Sequence, residues 1–229
     1  MSVIINDDNL WNNIEKIETE KEVLDLINNC SDLDYLLENA VLQRNKFLVK
    51  ALINKGVNIN HHGLLSYAVE KIRCPEILKM LIDRGANVNE ENHSPEGYGV
   101  TYPLHCAMIE DPSIEQMKIL LDNGAYVNPP KTFDGRSPIH FAVCLQLFDA
   151  LELLLQYGAN VHVLDYFNET PLHLATQIKQ FNAKITKLLL EYDSNPREKD
   201  VAGNNPVENT LKFKKVHMLK TILKHHHHE

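Results

Sequence analysis

The chain has 229 residues, 44% of them hydrophobic and 24% charged, with a formal net charge of −8. That length can bury a real core as one large domain or two small ones, and the acid excess speaks against nucleic acid, whose phosphates need a clustered basic face. No run approaches the ~18 uninterrupted apolar residues of a membrane span, and the opening MSVIINDDNLW lacks a signal peptide's basic flank and apolar run.

A cytoplasmic or nuclear protein is therefore expected. Cys30, Cys74, Cys106 and Cys144 are widely spaced with no CxxC pair, as reduced and partly buried thiols would be. The terminal His225–His228 run, within 225–229, reads as an expression tag rather than a metal site.

In residues 1–30, two short amphipathic stretches, Leu10–Ile17 and Val23–Ile27, are joined by Glu18–Glu22, and Asn6, Asp7 and Asp8 offer caps for the first. They predict an N-terminal helical cap or a decayed repeat, with Trp11 in the core. From residue 31 onward the sequence repeats itself. Thr170-Pro171-Leu172-His173-Leu174-Ala175 recurs as Ser137-Pro138-Ile139-His140-Phe141-Ala142 and as Tyr102-Pro103-Leu104-His105-Cys106-Ala107. Upstream it decays to Gly63-Leu64-Leu65-Ser66-Tyr67-Ala68 and Tyr35-Leu36-Leu37-Glu38-Asn39-Ala40, and downstream to Asn205-Pro206-Val207-Glu208-Asn209-Thr210.

A second phrase follows in register: LINKGVNIN, LIDRGANVN, LLDNGAYVN and LLQYGANVH, whose glycines Gly56, Gly85, Gly124 and Gly158 step by 29, 39 and 34 residues. Proline fits the first turn of a helix, where its missing N–H costs nothing, and the preceding Thr170 or Ser137 is a capping residue. A second helix carries Leu153-Leu154-Leu155 or Leu188-Leu189-Leu190, and the following glycine takes a left-handed backbone. Asp193 replaces that glycine in the fifth unit.

The expected units are 31–60, 61–99, 100–133, 134–166, 167–199 and 200–224, six in an array over 31–224. The polar, turn-rich stretch Glu90–Gly99 predicts a lengthened loop. Pro129-Pro130 predicts a reshaped hairpin, and Lys212, Lys214 and Lys215 are expected on the surface of the last unit.

The two phrases and their period resemble the ankyrin repeat. The resemblance implies an all-α solenoid of helix–turn–helix units with hairpin-like finger loops, binding a protein on the concave face made by fingers and inner helices. His105, His140 and His173 occupy one repeated position with no Glu or Cys ligands at matching spacing, so each is expected to bond backbone between repeats rather than a metal. No nucleophile–base pair, phosphate loop or paired carboxylate motif is present, so neither an enzyme nor a cofactor is expected.

Aromatic residues at solvated finger tips suit an interface, because they bury large area at low rotamer cost. Phe133, Asp134, Arg136, Tyr166, Phe167 and Asn168 on the later fingers, with Tyr98 in the insertion, are therefore the candidate partner-binding residues. Asn60, Asn89 and Asn128 each follow a leucine by eight residues, which resembles the ankyrin substrates of an asparaginyl hydroxylase; the plainer reading is an amide bonded within the hairpin.

Degenerate outer repeats, clean central ones and richness in Asn, Ile, Lys, Asp and Tyr resemble poxvirus ankyrin proteins, although AT-rich protists and intracellular bacteria make similar chains. That resemblance implies a monomeric host-range factor that captures a host innate-immune signalling protein of the NF-κB or necroptosis pathway. Such relatives often recruit an SCF ubiquitin ligase through a C-terminal F-box-like segment, and residues 1–224 contain nothing like it. The alternative is a cellular or bacterial scaffold with no immune target. No membrane or nucleic-acid partner is expected.

Overall fold

The computed structural model describes residues 14, 19–61, 63–93, 100–109, 112–129, 135–178 and 182–226. They form a stack of helix pairs. After α1 (Glu20–Asn29), the pairs are α2 (Leu33–Leu42) with α3 (Lys46–Lys55), and α4 (Leu64–Tyr67, prolonged by a π-turn at Ala68–Ile72) with α5 (Pro75–Asp83). They continue with α6 (Pro103–Cys106) and α7 (Ile114–Asp122), α8 (Pro138–Cys144) and α9 (Phe148–Gln156), α10 (Pro171–Gln177) and α11 (Ala183–Glu191), and α12 (Pro206–Lys212) and α13 (Val216–His226).

First helices touch first helices of the next pair and second helices touch second helices, so two helical layers run along the stack. One continuous apolar cluster fills the space between them, from Ile14 to Ile222. The recurring alanines Ala40, Ala68, Ala107, Ala142 and Ala175 are all buried in it, and Leu154 and Leu189 are fully enclosed. Truncating such a leucine to alanine costs about 2–5 kcal/mol, because the neighbouring layers cannot close over the cavity.

The ends of the helices follow from their sequences. Proline opens α5, α6, α8, α10 and α12 at the first turn. Asp32, Asn45, Ser113 and Asn182 cap α2, α3, α7 and α11 by accepting backbone N–H groups with their side chains. Gly56, Gly85, Gly124 and Gly158 have φ of 87°, 91°, 86° and 84°, and Asp193 takes the same left-handed place at 64°.

Three expectations are revised. Helix α1 begins inside the Glu18–Glu22 joint, because Thr19 and Glu22 form a capping box: the Glu22 N–H donates to Thr19 Oγ1 and the Thr19 N–H to Glu22 Oε2. Most of the Leu10–Ile17 stretch, Trp11 included, lies outside the described residues; Ile14 is buried and its carbonyl accepts the Asn45 side-chain amide. Two short antiparallel strands pair here, β1 (Asn92–His93) within the 90–99 insertion and β2 (Val100–Thr101) directly after it, with Asn92 facing Thr101. Lys215 is half-buried rather than on the surface; its ammonium donates to the Ile178 carbonyl, and burial lowers its pKa.

Candidate partner-binding fingers

The fingers are the loops that join each second helix to the next first helix, and side-chain bonds lock them to one another. Asn60 accepts the Asn87 N–H (2.8 Å) and donates to the Gly85 carbonyl (3.2 Å). Asn89 does the same with Tyr126 and Gly124 (2.7 and 2.9 Å), and Asn128 with Asn160 and Gly158 (2.9 and 3.0 Å). Both ends of each amide are thus engaged by the next finger, a structural task that accounts for asparagine at all three positions.

The repeated histidines form a second ladder. In His140 and His173, Nδ1 accepts the backbone N–H of Ser137 or Thr170 (3.2 and 3.1 Å), which leaves the proton on Nε2. Nε2 then donates to the carbonyl of Glu169 or Asn204 in the following finger (3.1 and 3.3 Å). His105 is buried at the same position, between the rings of Tyr102 and Phe141. Among the described residues no group of three or more His, Cys, Asp or Glu side chains could hold a metal ion.

Of the candidate partner-binding residues, Tyr98, Phe133 and Asp134 lie outside the described residues. The other four come together around a residue that the sequence reading passed over, Asp165. Its carboxylate is fully buried; Oδ1 accepts the N–H groups of Phe167 (2.8 Å) and Glu169 (2.9 Å), and Oδ2 lies 3.8 Å from Arg136 Nε on the preceding finger. Asn168 has φ of 55° and its N–H closes the turn on the Asp165 carbonyl. Asn168 is therefore a turn former, the counterpart of Gly135 and Gly203, which are left-handed two residues before their own helix caps.

The turn raises two rings. Tyr166 is 55% exposed but leans back on the preceding finger, so closely that a Cβ on Gly135 would stand 3.0 Å from its ring. Phe167 is 57% exposed, and its carbonyl accepts the Val201 N–H of the next finger (2.9 Å). An apolar ring is thus held in solvent on a fixed backbone, which is what an interface anchor needs. Beneath it Glu169 is half-buried, and burial, followed by repulsion from Asp165 and Asp200, raises its pKa.

Asp165 had a sequence signal: an aspartate stands five residues before the helix cap both here and at Asp200, which accepts the N–H groups of Ala202 and Asn204 in the same way. A second overlooked residue is Tyr126. Asn58, Asn87, Asn160 and Asn195 each accept the N–H two residues on, and Tyr126 replaces that asparagine in its own finger. Half-exposed, it packs edge-on against Tyr102 with ring centroids 6.5 Å apart.

The four cysteines carry no disulfide. Cys74 and Cys106 are buried and the other two half-buried, and burial pushes the Cys106 thiol up to about 12. No helix among the described residues is long and apolar enough to cross a membrane.

Two family models of ankyrin repeats match, one of three copies over residues 92–165 and one of many copies over 148–190. Chicken inversin is 31% identical over 129 residues, covering 56% of this chain and 11% of inversin. A putative ankyrin repeat protein of fowlpox virus is 33% identical over 156 residues, covering 66% and 22%. An ankyrin repeat protein of variola virus is 23% identical over 197 residues, covering 83% and 33%. The chain thus spans a third or less of the length of each of these relatives.

Proposed function

This chain is an ankyrin-repeat protein, a family of protein-interaction modules, and we propose that it captures a host innate-immune signalling protein of the NF-κB or necroptosis pathway. In this reading it is the target-binding arm of a viral host-range factor, which blocks that protein or delivers it to a ubiquitin ligase. The viral setting is supported by the likeness to the fowlpox and variola ankyrin repeat proteins.

The observation that carries the binding reading is the Tyr166–Phe167 tip, more than half exposed and fixed from below by buried Asp165. Arg136, Tyr98, Phe133 and Asp134 belong to the same proposed contact. The likeness to inversin favours the second reading, a cellular scaffold with no immune target.

Pull-down from transfected cells with mass spectrometry separates the two. Signalling kinases, NF-κB subunits or ligase components among the captured proteins support the first reading, and cytoskeletal partners alone overturn it. The Tyr166→Ala/Phe167→Ala double variant is expected to lose the principal partner by about tenfold or more in affinity while keeping its helicity. Undiminished capture by that variant removes the finger tip from the contact.

A further inference from the structure

Two neighbouring units of the first-helix layer, those of α2 and α4, depart from the repeat each in its own way. Helix α2 starts a turn early: Tyr35 holds the position of the caps Ser137 and Thr170, yet Asp32 caps the helix three residues before it. Tyr35, Asn39 and Leu42 then lie along one face of α2, away from buried Leu36, Leu37, Ala40 and Val41. Left-handed Arg44 stands four positions after Ala40 and Gln146 four after Ala142, but in the next unit Arg73 stands five after Ala68. The extra residue is absorbed as the π-turn Ala68–Ile72, a local change often found at functional sites. Stacking needs neither departure, since α8 and α10 stack without them.

Between the two helices lies an open cavity of about 460 Å³, lined by Tyr35, Glu38, Asn39, Leu42, Leu64 and Tyr67. Tyr35, Leu42 and Tyr67 are all well exposed. Glu38 brings the sole charge among these lining groups; it occupies the place of the histidine in the clean repeats and stands 3.3 Å from His61 Nδ1. The cavity therefore offers two phenol rings, one carboxylate, one amide and two leucines.

We propose that this cavity takes an arginine side chain presented by a basic segment of a partner protein. A guanidinium is planar, stacks on aromatic faces and pairs with a carboxylate in a fixed fork. Here it would stack on Tyr67 or Tyr35, pair with Glu38 and lay its aliphatic stem on Leu42 and Leu64. Asn39 lines the cavity and donates to the Tyr35 carbonyl through its Nδ2 (2.8 Å); its amide oxygen is the group of that side chain that can accept from a guanidinium. Charge complementarity selects this occupant: the net charge of −8 and the Glu38 carboxylate attract a cation and repel an acidic segment. Lysine fits less well, since a compact ammonium gains less from two rings than a delocalised plane does. The inference rests on the protein-binding reading but uses a surface separate from the Tyr166–Phe167 tip.

The test is an NMR titration of the whole chain with the blocked tetrapeptide Ala-Arg-Leu-Ala and its lysine, citrulline and glutamate counterparts. The arginine peptide is expected to shift the amide signals of residues 35–42 and 64–71, and the citrulline peptide to bind about tenfold or more weakly. Glu38→Gln and Tyr67→Leu should each weaken the arginine peptide several-fold while the rest of the spectrum stays dispersed. Equal binding of the citrulline or lysine peptide, or preference for the glutamate peptide, overturns the proposal. So does a shift confined to the fingers, or a change at 35–42 on protein dilution alone, which would mark a second copy as the occupant. Cross-linking with a photoreactive arginine peptide locates the site without relying on any variant. Failure here leaves the finger-tip contact standing, because the Tyr166→Ala/Phe167→Ala pull-down does not involve the cavity.

Discussion

Replacing Asp165 by alanine removes a buried carboxylate that accepts two backbone N–H groups, those of Phe167 and Glu169. Hydrogen bonds to a charged group contribute about 1.5–3 kcal/mol each in net terms, and water entering the vacated space returns part of that. A loss of about 3 kcal/mol is therefore expected. Arg136 is left out of this figure, since its Nε stands 3.8 Å from the carboxylate, beyond hydrogen-bond distance. Asp200 is an internal control, making the same two kinds of bond to Ala202 and Asn204 from a half-buried position. Asp200→Ala should cost about half as much, because its N–H groups reach water more easily.

Urea unfolding followed by circular dichroism gives both losses. Because repeat arrays can unfold in parts, amide hydrogen exchange at Phe167 and Glu169 supplies the local reading. Protection at those two amides should fall in Asp165→Ala and remain in Asp200→Ala. Equal costs for the two variants, or unchanged protection at Phe167, would refute the claim that the buried carboxylate sets the finger tip.

Gly135→Ala should destabilise by about 3 kcal/mol: φ is 74°, and the new Cβ would stand 2.7 Å from the Tyr166 backbone nitrogen. Gly158→Ala, at φ of 84° but with nothing within 4 Å, should cost only about 1 kcal/mol; urea midpoints that rank the two the other way would contradict this packing. Glu169 has a raised folded-state pKa, so its contribution is fully present below the unfolded value and is lost as pH rises through the folded one. Glu169→Gln should then gain stability relative to the parent at pH 7 and lose that advantage near pH 4; a pH-independent difference would show that burial and neighbouring acids do not govern this group.

The helix pairs, their proline starts and their glycine ends were legible in the sequence because each repeats at a fixed offset, and each has one local physical cause. What escaped was the part that depends on a single unit. The Thr19–Glu22 capping box is hard to read from sequence because it falls in a charged stretch between two apolar runs, where a linker and a helix start look alike. Asp165 is overshadowed in the sequence by Tyr166 and Phe167, whose rings suggest an interface; its own signal, a place five residues before the helix cap that recurs at Asp200, gives the turn, and the fold adds that the carboxylate is fully buried beneath the tip. Asn168 shows the same limit, since a left-handed turn residue and a contact residue share one polar identity in a sequence.

The Tyr35–Tyr67 cavity was the least legible feature, because it arises from two shifts of register in units whose signature phrase has decayed. Counting against the clean repeats recovers it afterwards: Asp32 instead of residue 35 as the cap, and five residues instead of four before the left-handed turn. Stacking constrains the buried stripe of each first helix equally in every unit, so selection on packing alone would keep those counts uniform. Where the counts break while the core remains closed, from Leu36 through Ile72, the exposed face has been reshaped without disturbing the array. In a solenoid such local exceptions, more than the shared phrase, are where specificity for a partner can reside.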